Sequence, residues 1–526
     1  MIRKNKIYLR ITILLFIIYI GLLIVLCLSE HADSTATIRT FSDAFWYSLV
    51  TLTTVGYGDL TPVTPLGHAV GAVFLLLSAG IMMTLFGAVL SFVTSEGLPL
   101  FLLGLQRKKN WYYFADYGVE SSTLAKNIYN EDSDAMIIFG EKKNDQMEFP
   151  DYPCLFISAS PARIVAHKKN TGARCKIFLM KENDIGVNIR AADLYTLPVE
   201  VYARTTNGRD SLSGNISFFH SYDCCARQYW RSRPLCSNEN MIVIIGFGNY
   251  GRCILERAIL TNIISVDQHV AYHIFGDARI FLSMHRHLQE TFSLNEESND
   301  TDSLIFHDEL WEMCPVLMEQ ADRIIICTDD EPEGWNIFWR LNSYYKLRGQ
   351  IHLRSSQKAP GLSYFGANED IYTPNQIMRT TLNKAAVAIN EIFCRSVSYP
   401  TLSWDELDTV HRESKISAAD HILMKIRILL QDESITDITP EIITKAYNVY
   451  EENKTSELMK DTYRRLDHSR WLRFYTFYNW TYGSFRDDLA RQHPMLCPYD
   501  NLTPEQKRER DAAWELLGCL ATESIS

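Results

Sequence analysis

The residues best suited to chemistry in this 526-residue chain are the run Thr53–Asp59, which reads Thr-Thr-Val-Gly-Tyr-Gly-Asp. Gly56 and Gly58 allow the backbone to alternate between left- and right-handed conformations, because glycine has no Cβ to clash. Such a backbone points successive carbonyl oxygens to one side, where they can replace the water shell of a dehydrated cation. The predicted ion-selecting residues are Thr54, Val55, Gly56, Tyr57 and Gly58, of which the first four would hold the ion. One chain supplies one wall of such a site, so we expect four chains.

Two apolar segments must position this run. Residues 11–29 carry no charge and would cover roughly 28 Å as a helix, close to the thickness of a bilayer. The predicted spans are residues 8–29 and about 66–95. For the first span the alternative is a cleaved signal peptide, but its apolar core would be shorter and followed by a small-residue cleavage site. Basic residues that flank the two uncharged stretches predict that both termini are cytoplasmic. They are Arg3, Lys4, Lys6, Arg10, Arg107, Lys108 and Lys109.

Between the spans, residues 41–53 are too short to cross a bilayer but suit a re-entrant helix, with Ser42 as the expected N-cap. Non-helical backbone at membrane depth is tolerated only where it is buried in protein or lines a water-filled path. A half-helix that ends at the run also points the negative end of its dipole at a cation. The segment therefore predicts a helix that supports an ion-selective turn.

This order of elements, over residues 7 to about 105, resembles the two-span potassium channels. The resemblance implies that K⁺ is the transported ion and that the chain forms a homotetramer in the lipid bilayer of a prokaryotic inner membrane. It also implies that Trp46 and Tyr47 form an aromatic cuff around Tyr57, with Asp59 facing outside. Val50 stands where some relatives carry a glutamate, so a Glu–Asp pair behind the filter is not available.

Gly80 lies in the second span, where members of that family often have a hinge glycine. Close helix packing is the alternative reason for a glycine there. An arginine-rich span is missing from the sequence, which argues against voltage sensing.

Composition bounds what the rest of the chain can do. The sequence has 52 Lys and Arg against 63 Asp and Glu, for a net charge of −11. Residues 1–110 are slightly basic, so the acidic excess lies in the remainder and argues against nucleic-acid binding. The twelve cysteines include no C-x-x-C pair, and reduced thiols are expected inside the cell.

A second chemical pattern begins at residue 241, where the apolar run Met-Ile-Val-Ile-Ile leads into Gly246-x-Gly248-x-x-Gly251 and a helical segment. The next apolar run, 271–275, is followed by Gly276 and Asp277. This arrangement predicts a nucleotide site, with glycines for the turn, a helix N-terminus for phosphate and Asp277 for ribose hydroxyls. Asp277 lies 26 residues beyond Gly251, which is rather far, and a purely structural loop is the alternative.

Further apolar runs alternate with helical stretches on both sides of this motif, which predicts two tandem Rossmann-like α/β domains with doubly wound parallel sheets. These runs are 111–115, 135–139, 154–158, 175–180, 199–203, 304–306, 323–327 and 350–354. The predicted bounds are 110–236 and 238–395. The first copy has only one glycine in its turn, and Asp116 would repel phosphate there, so we expect it to bind no dinucleotide.

These tandem domains resemble the TrkA-N-like domains that regulate potassium conductance. The resemblance implies an intracellular ring of eight domains per tetramer, with NAD(H) or an adenine nucleotide as regulatory ligand. The predicted helix 375–393 suits either an assembly interface or an ordinary core-facing role. Calcium acts in such rings, but the sequence offers no evident site for it.

Residues 396–526 differ in composition, being rich in Trp, Tyr and charged residues, and are predicted to form a mainly helical domain. Helix starts are predicted at Thr439-Pro440 and Thr503-Pro504, where Gln506 would complete a capping box. From His468 the sequence carries a His/Trp helix, then Trp-Thr-Tyr-Gly, then His-Pro-Met-Leu-Cys-Pro-Tyr. These runs are similar to the ryanodine-receptor repeat (RyR) domain.

Aromatic residues beside arginines could sandwich a base and hold phosphate in this domain. The candidates are Arg470, Trp471, Trp480, Tyr482 and Arg486. The alternative is that the aromatics form a small core and the arginines pair with Asp487 and Asp488.

Taken together, these patterns predict a potassium channel that is not an enzyme and is gated by a nucleotide or nucleotide-derived messenger. A membrane-anchored nucleotide or metabolite sensor with a non-conducting pore is one alternative. An oxidoreductase is another, but the sequence shows no positioned acid and base for it.

Overall fold

The computed structural model describes residues 2–94, 97–141, 150–168, 174–181, 194, 198–205, 215–397 and 399–525. The chain divides into two compact units, Met1–Leu105 and Gln106–Ser526.

The first unit consists of helices in the predicted order. They are α1 (Ile2–His31), α2 (Phe41–Leu52), α3 (Pro65–Thr94) and α4 (Gly97–Leu105). The core between α1, α2 and α3 includes Leu23, Ala44 and Phe74. Within the described residues, no helix is both long enough and apolar enough to cross a membrane, so the predicted spans are not confirmed.

The start of α2 differs from the prediction, because its N-cap is Thr40 and not Ser42. The Thr40 hydroxyl accepts a hydrogen bond from the Asp43 amide, and the Asp43 carboxylate accepts one from the Thr40 amide. A capping box requires an acid or amide side chain three residues after the N-cap. Asp43 stands three residues after Thr40, so the helix begins at this earlier cap.

The second unit contains the first predicted α/β sheet, and its six described strands are all parallel. Their spatial order is β3-β2-β1-β4-β5-β6. The strands are β1 (Asn110–Phe114), β2 (Ala135–Phe139), β3 (Cys154–Phe156), β4 (Cys175–Leu179), β5 (Glu200–Thr205) and β6 (Ile216–His220). The helices are α5 (Val119–Glu131), α6 (Pro161–His167) and α7 (Ser221–Ser232). Five strands match predicted apolar runs and β6 was not predicted.

The second sheet has seven described parallel strands in the order β13-β12-β11-β7-β8-β10-β9. They are β7 (Met241–Ile245), β8 (Ala271–Phe275), β9 (Ser293–Leu294), β10 (Ser303–His307), β11 (Arg323–Ile326), β12 (Gln350–Arg354) and β13 (Tyr364–Phe365). The helices are α8 (Asn249–Thr261), α9 (Arg279–Met284), α10 (Pro315–Gln320) and α11 (Glu331–Tyr344). The order reverses beside β7, so the turn after β7 opens at the switch point where doubly wound folds bind ligands.

The predicted helix 375–393 is divided in the structure. A short helix α12 (Asn368–Ile371) is followed by α13 (Pro374–Met378) and α14 (Thr380–Ser396). Arg379 separates the last two with a left-handed backbone, φ 50°, which ends a helix.

The C-terminal segment packs against α8 and the chain that follows α9 in the second α/β domain, within the same unit. Its helices are α15 (Thr409–Asp420), α16 (Ile422–Leu430), α17 (Pro440–Asn453), α18 (Glu457–Phe477), α19 (Pro504–Arg508) and α20 (Ala512–Ile525), with a small pair of strands β14 (Thr481–Tyr482) and β15 (Gln492–His493). Thr439 and Thr503 are the N-caps of α17 and α19, and Gln506 completes a capping box, as predicted.

Candidate functional sites

The run 54–58 has the backbone that an ion-coordinating turn needs. Thr54, Gly56 and Gly58 have positive φ values of 60°, 59° and 73°, so alternate residues are left-handed. The amides of Val55 and Gly56 donate to the Val50 carbonyl at 3.0 and 3.3 Å, which ties the run to the end of α2. The side chains of Val55 and Tyr57 are exposed in the single chain.

Trp46 and Tyr47, the predicted supports of this run, contact different partners. The Trp46 ring stacks on Tyr57 with centroids 6.3 Å apart, and its Nε1 donates to Asp59 Oδ2 at 3.0 Å. Tyr47 packs against Phe74 of α3 instead. Gly80 lies within α3, but its surroundings fall outside the described residues.

The glycine loop after β7 is tightly enclosed. Gly246 has φ +93°, and a Cβ on it would meet the Thr328 backbone at 2.7 Å. Gly251 is buried on α8, where a Cβ would clash with the Gly246 carbonyl. A Cβ on Gly248 would meet the carboxylate of Asp329. Only glycine therefore fits these three positions without a shift of the neighbouring groups.

Asp329 is a residue of this loop's surroundings that sequence reasoning missed. Its Oδ2 accepts from the Asn249 amide at 3.0 Å and its Oδ1 accepts from the Tyr250 amide at 3.3 Å. These amides begin α8 and are the groups that would bind a phosphate. In this conformation the protein's own carboxylate accepts from the amides that a phosphate at this loop would need.

Asp277 lies at the end of β8 on the same cleft, which has a volume of about 1180 Å³ and is lined also by Gly246, Gly248 and Asp329. Its carboxylate pairs with Arg279 at 2.6 Å, and the hydrogen bonds from Arg279 hold the pKa of Asp277 well below its usual range. The structure thus brings Gly246, Gly248 and Asp277 together around one opening, with Gly251 behind it.

The turn after β1, in the first α/β domain, also contains a hydrogen-bonded carboxylate. The buried Asp116 carboxylate accepts from the Ser121 hydroxyl at 2.7 Å and from the Met180 amide at 3.2 Å. Burial raises the pKa of Asp116.

A second cavity, of about 350 Å³, lies between α14 and the helices α15 and α18 of the C-terminal segment. Three of the five predicted ligand residues line it, namely Arg470, Trp471 and Arg486. Trp480 is 2% exposed and packs edge-on against Tyr475, so it belongs to the core and not to the cavity lining. Tyr482 lies on β14, exposed and away from the lining.

Further cavity residues come from distant parts of the chain, and no local motif marked them. Cationic Lys415 and Arg510 and the aromatic Tyr475 line the cavity, together with His411 and His493. The acidic residues of the lining are Asp467, Asp488 and Glu509.

The charges of this cavity are only partly balanced. Arg470 is 2% exposed and its Nε donates to Asp467 at 3.0 Å, while its Nη1 has no hydrogen-bond partner among the described residues. Arg510 Nε is also buried without a partner in the described part of the chain. Burial, reinforced by Arg510, lowers the pKa of half-buried Lys415 to about 7. Burial lowers the pKa of His493 to about 3, so this imidazole is neutral.

Comparisons with known proteins match two parts of the chain. Residues 12–95 match the ion channel family and residues 451–525 match the RyR domain family. The chain is 40% identical over 60 residues to a "Voltage-gated potassium channel" of Aeropyrum pernix, covering 11% of this chain and 20% of that protein. It is 30% identical over 121 residues to "Probable potassium channel protein 2" of Methanocaldococcus jannaschii, covering 22% and 35%.

The chain spans only a minor part of the length of these relatives, 20% of the first and 35% of the second. Among solved structures, the chain is similar to a GsuK channel at 11% identity, with 70% of this chain and 82% of that chain covered and a TM-score of 0.38. A GsuK structure bound to ADP gives 13% identity, coverage of 69% and 96%, and a TM-score of 0.37.

The resemblance of residues 12–95 to a channel and of the C-terminal segment to an RyR domain is confirmed by these matches. The named relatives are potassium channels and not enzymes, in agreement with the sequence-based expectation.

Proposed function

We propose that four copies of this chain form a potassium-selective channel in a prokaryotic inner membrane, gated by a cytoplasmic nucleotide-type ligand. In this proposal α1 and α3 are the spans and both termini are cytoplasmic. The observation that carries it is the left-handed backbone at Thr54, Gly56 and Gly58.

The physical argument rests on the direction of the carbonyl groups. Left-handed residues at every second position keep successive carbonyl oxygens on one side of the strand, and four such strands stack oxygen rings around an axis. Trp46 supports this conformation in the chain, since it contacts Tyr57 and holds Asp59. The match of residues 12–95 to the ion channel family adds independent support.

Of the two ligand cavities, the one in the C-terminal segment is the better candidate for the gating ligand. The glycine-loop cleft has Asp329 on the amides that a phosphate would need, so a nucleotide there must first displace an anion. The other cavity offers the unpartnered Arg470 Nη1 and Arg510 Nε instead. Buried donors without partners are costly, and an anionic ligand would satisfy them.

The side chains of this cavity suit a ligand with a flat ring and phosphate. Trp471 and Tyr475 are aromatic residues of the lining, and Arg510 lies over the Trp471 ring at 4.6 Å. Lys415 and Arg486 are further basic residues at the wall, with Arg486 paired to Asp488 at 2.7 Å. A nucleotide-derived messenger has both features. The glycine-loop cleft, with Asp277 for a ribose, remains the proposed site for NAD(H) or an adenine nucleotide.

Such a ligand gates the pore only by the difference in its affinity for the closed and open states. Four identical sites per tetramer multiply a modest difference at each site. Gating therefore does not require tight binding at any one cavity.

Purified full-length protein in liposomes tests the proposal. Potassium flux should exceed sodium flux, and a panel of NAD(H), adenine nucleotides and cyclic dinucleotides should include at least one ligand that changes the potassium flux. Equal sodium and potassium fluxes would contradict potassium selectivity. A selective flux that no member of the panel alters would contradict nucleotide gating alone.

A further inference from the structure

Three potential metal ligands meet at the end of β10, on one wall of the glycine-loop cleft. His307 Nδ1 lies 3.0 Å from Glu309 Oε1, and Cys314 Sγ lies 3.5 Å from the same oxygen. All three ligand atoms lie within 4.8 Å of one another. Neither the glycine loop nor the C-terminal cavity uses these residues.

The spacing of these atoms fits a shared ion. Tetrahedral zinc with ligand bonds of about 2.0–2.3 Å keeps its ligand atoms roughly 3.3–3.8 Å apart. The observed distances of 3.0 and 3.5 Å are close to that range. His307 Nδ1 and Cys314 Sγ lie within 4.8 Å of each other, so a modest closing of the side chains would place all three atoms around one metal ion.

The histidine ligand is held in place by a second histidine. His307 Nε2 lies 3.0 Å from Nδ1 of the buried His273, and the His307 ring stacks on Phe275 at 4.3 Å. Phe275 and His307 are register partners on the adjacent strands β8 and β10, so the ring sits on a rigid part of the sheet. A metal-binding histidine usually has its other ring nitrogen fixed by such a partner.

Four side chains lie in a line through His307. The order is Glu297, His273, His307 and Glu309, with a gap of 3.7 Å between Glu297 Oε1 and His273 Nε2. His273 Nε2 is buried without a hydrogen-bond partner in the described residues. Because His307 Nε2 faces His273, Nδ1 is the His307 ring nitrogen that faces Glu309.

We propose that His307 Nδ1, the Glu309 carboxylate and the Cys314 thiolate bind a divalent transition metal of the zinc class, with water as the fourth ligand. Imidazole, thiolate and carboxylate together select zinc-like ions over calcium or magnesium, which take oxygen ligands. On binding, the Cys314 thiol releases its proton to solvent. The His307 proton then lies on Nε2 and points at His273, whose own proton moves to Nε2 and faces Glu297.

Titration of the full-length protein in detergent with Co²⁺ tests this site. A thiolate-to-cobalt charge-transfer band should grow to one equivalent per chain, and Zn²⁺ should abolish it. C314S and H307A should remove the band and one equivalent of bound metal after dialysis, whereas C519S, which changes another half-buried cysteine, should keep both. H273F should keep the band but weaken Zn²⁺ affinity about tenfold or more, as loss of a positioning partner does.

Circular dichroism identifies any variant that fails to fold, and C314S exchanges only one atom. A band that survives in both C314S and H307A would overturn the proposal. So would a wild-type protein that binds neither Co²⁺ nor Zn²⁺. These readouts do not depend on ion flux, so they stand apart from the proposed channel function.

Discussion

Asp329 closes the amino-terminal end of α8, where its Oδ2 accepts a hydrogen bond from the Asn249 amide at 3.0 Å. A helix N-terminus carries partial positive charge and favours an anion, and here the anion belongs to the protein. The amides at the start of α8 are therefore already satisfied by a carboxylate of the chain. A phosphate bound at the glycine loop would compete with this internal group.

Replacing that group should strengthen nucleotide binding at the cleft. D329N removes the negative charge but keeps a side chain that can contact the amides. We expect ADP or NAD affinity to rise about five- to tenfold, since removing one like charge a few ångströms away is worth about 1 kcal/mol in a solvated site. Isothermal titration calorimetry of the full-length protein measures the affinity for ADP and NAD.

D330N is the matched control, because Asp330 lines the same cleft but does not accept from Asn249 or Tyr250. It should change affinity far less. If D329N and D330N behave alike, or if neither binds nucleotide, the loop has a structural role only.

The ion-selective turn should not tolerate a side chain at Gly56. G56A places a Cβ on a residue with φ +59°, a conformation that costs an L-residue about 1 kcal/mol or more, repeated in each of four chains. We expect potassium flux in liposomes to be lost or to lose its preference over sodium. G21A makes the same chemical change on α1, where a Cβ meets no atom within 4 Å, and should conduct normally. Normal selectivity in G56A would contradict the proposed filter.

Binding in the C-terminal cavity should depend on pH through Lys415. Its pKa of about 7 lies below that of an ordinary lysine, so above pH 7 the empty cavity holds a neutral amine. A phosphate favours the ammonium form, so binding takes up a proton. Affinity should therefore be highest below pH 7 and should fall as pH rises above it, by at most tenfold per pH unit. Titration calorimetry in buffers of different ionisation enthalpy counts the proton.

K415M should lower affinity and abolish this pH dependence. Lys460 lies on α18 and pairs with Glu457 in an i,i+3 contact, so K460M is a suitable control and should keep the dependence. A pH profile that is unchanged in K415M would assign the proton to another group.

Arg257 on α8 should be essential for stability. Its guanidinium is bonded to both Asp223 and Asp420 and its side chain is 3% exposed. R257M should destabilise the second unit by about 3–5 kcal/mol, because it removes the closest cation from buried Asp223 and one of two cations from Asp420. Thermal unfolding measures this, and R231A, a change on the neighbouring helix α7, should have little effect. A small loss in R257M would mean that Arg227 and Arg379 compensate.

Much of the fold follows from local patterns. Strands such as Ala271–Phe275 and Gln350–Arg354 have the predicted bounds because apolar runs between turn residues suit buried parallel strands. The caps at Thr439 and Thr503 follow from side chains within three residues of each helix start. Strand β6 and the break at Arg379 were missed, because neither carries a glycine, proline or long apolar run that would mark it.

The sites were less predictable than the fold. Asp329 reaches the glycine loop only because β11 lies beside β7, which is a property of sheet order and not of local sequence. Lys415 and Arg510 meet Arg470 through the packing of distant helices. Trp480 was predicted to bind the ligand because of its residue type. In the structure it is buried against Tyr475 and is a core residue.

Helix α15 carries both Lys415 of the C-terminal cavity and Asp420, whose carboxylate holds Arg257 on the glycine-loop helix at 3.0 Å. The C-terminal cavity and the glycine-loop helix are thus connected through a little more than one turn of α15 and one ion pair. If occupancy of the cavity changes affinity at the cleft by some factor, thermodynamic reciprocity requires the cleft ligand to change cavity affinity by the same factor. Each chain would then respond to the combined binding of two different ligands, and not to either ligand alone.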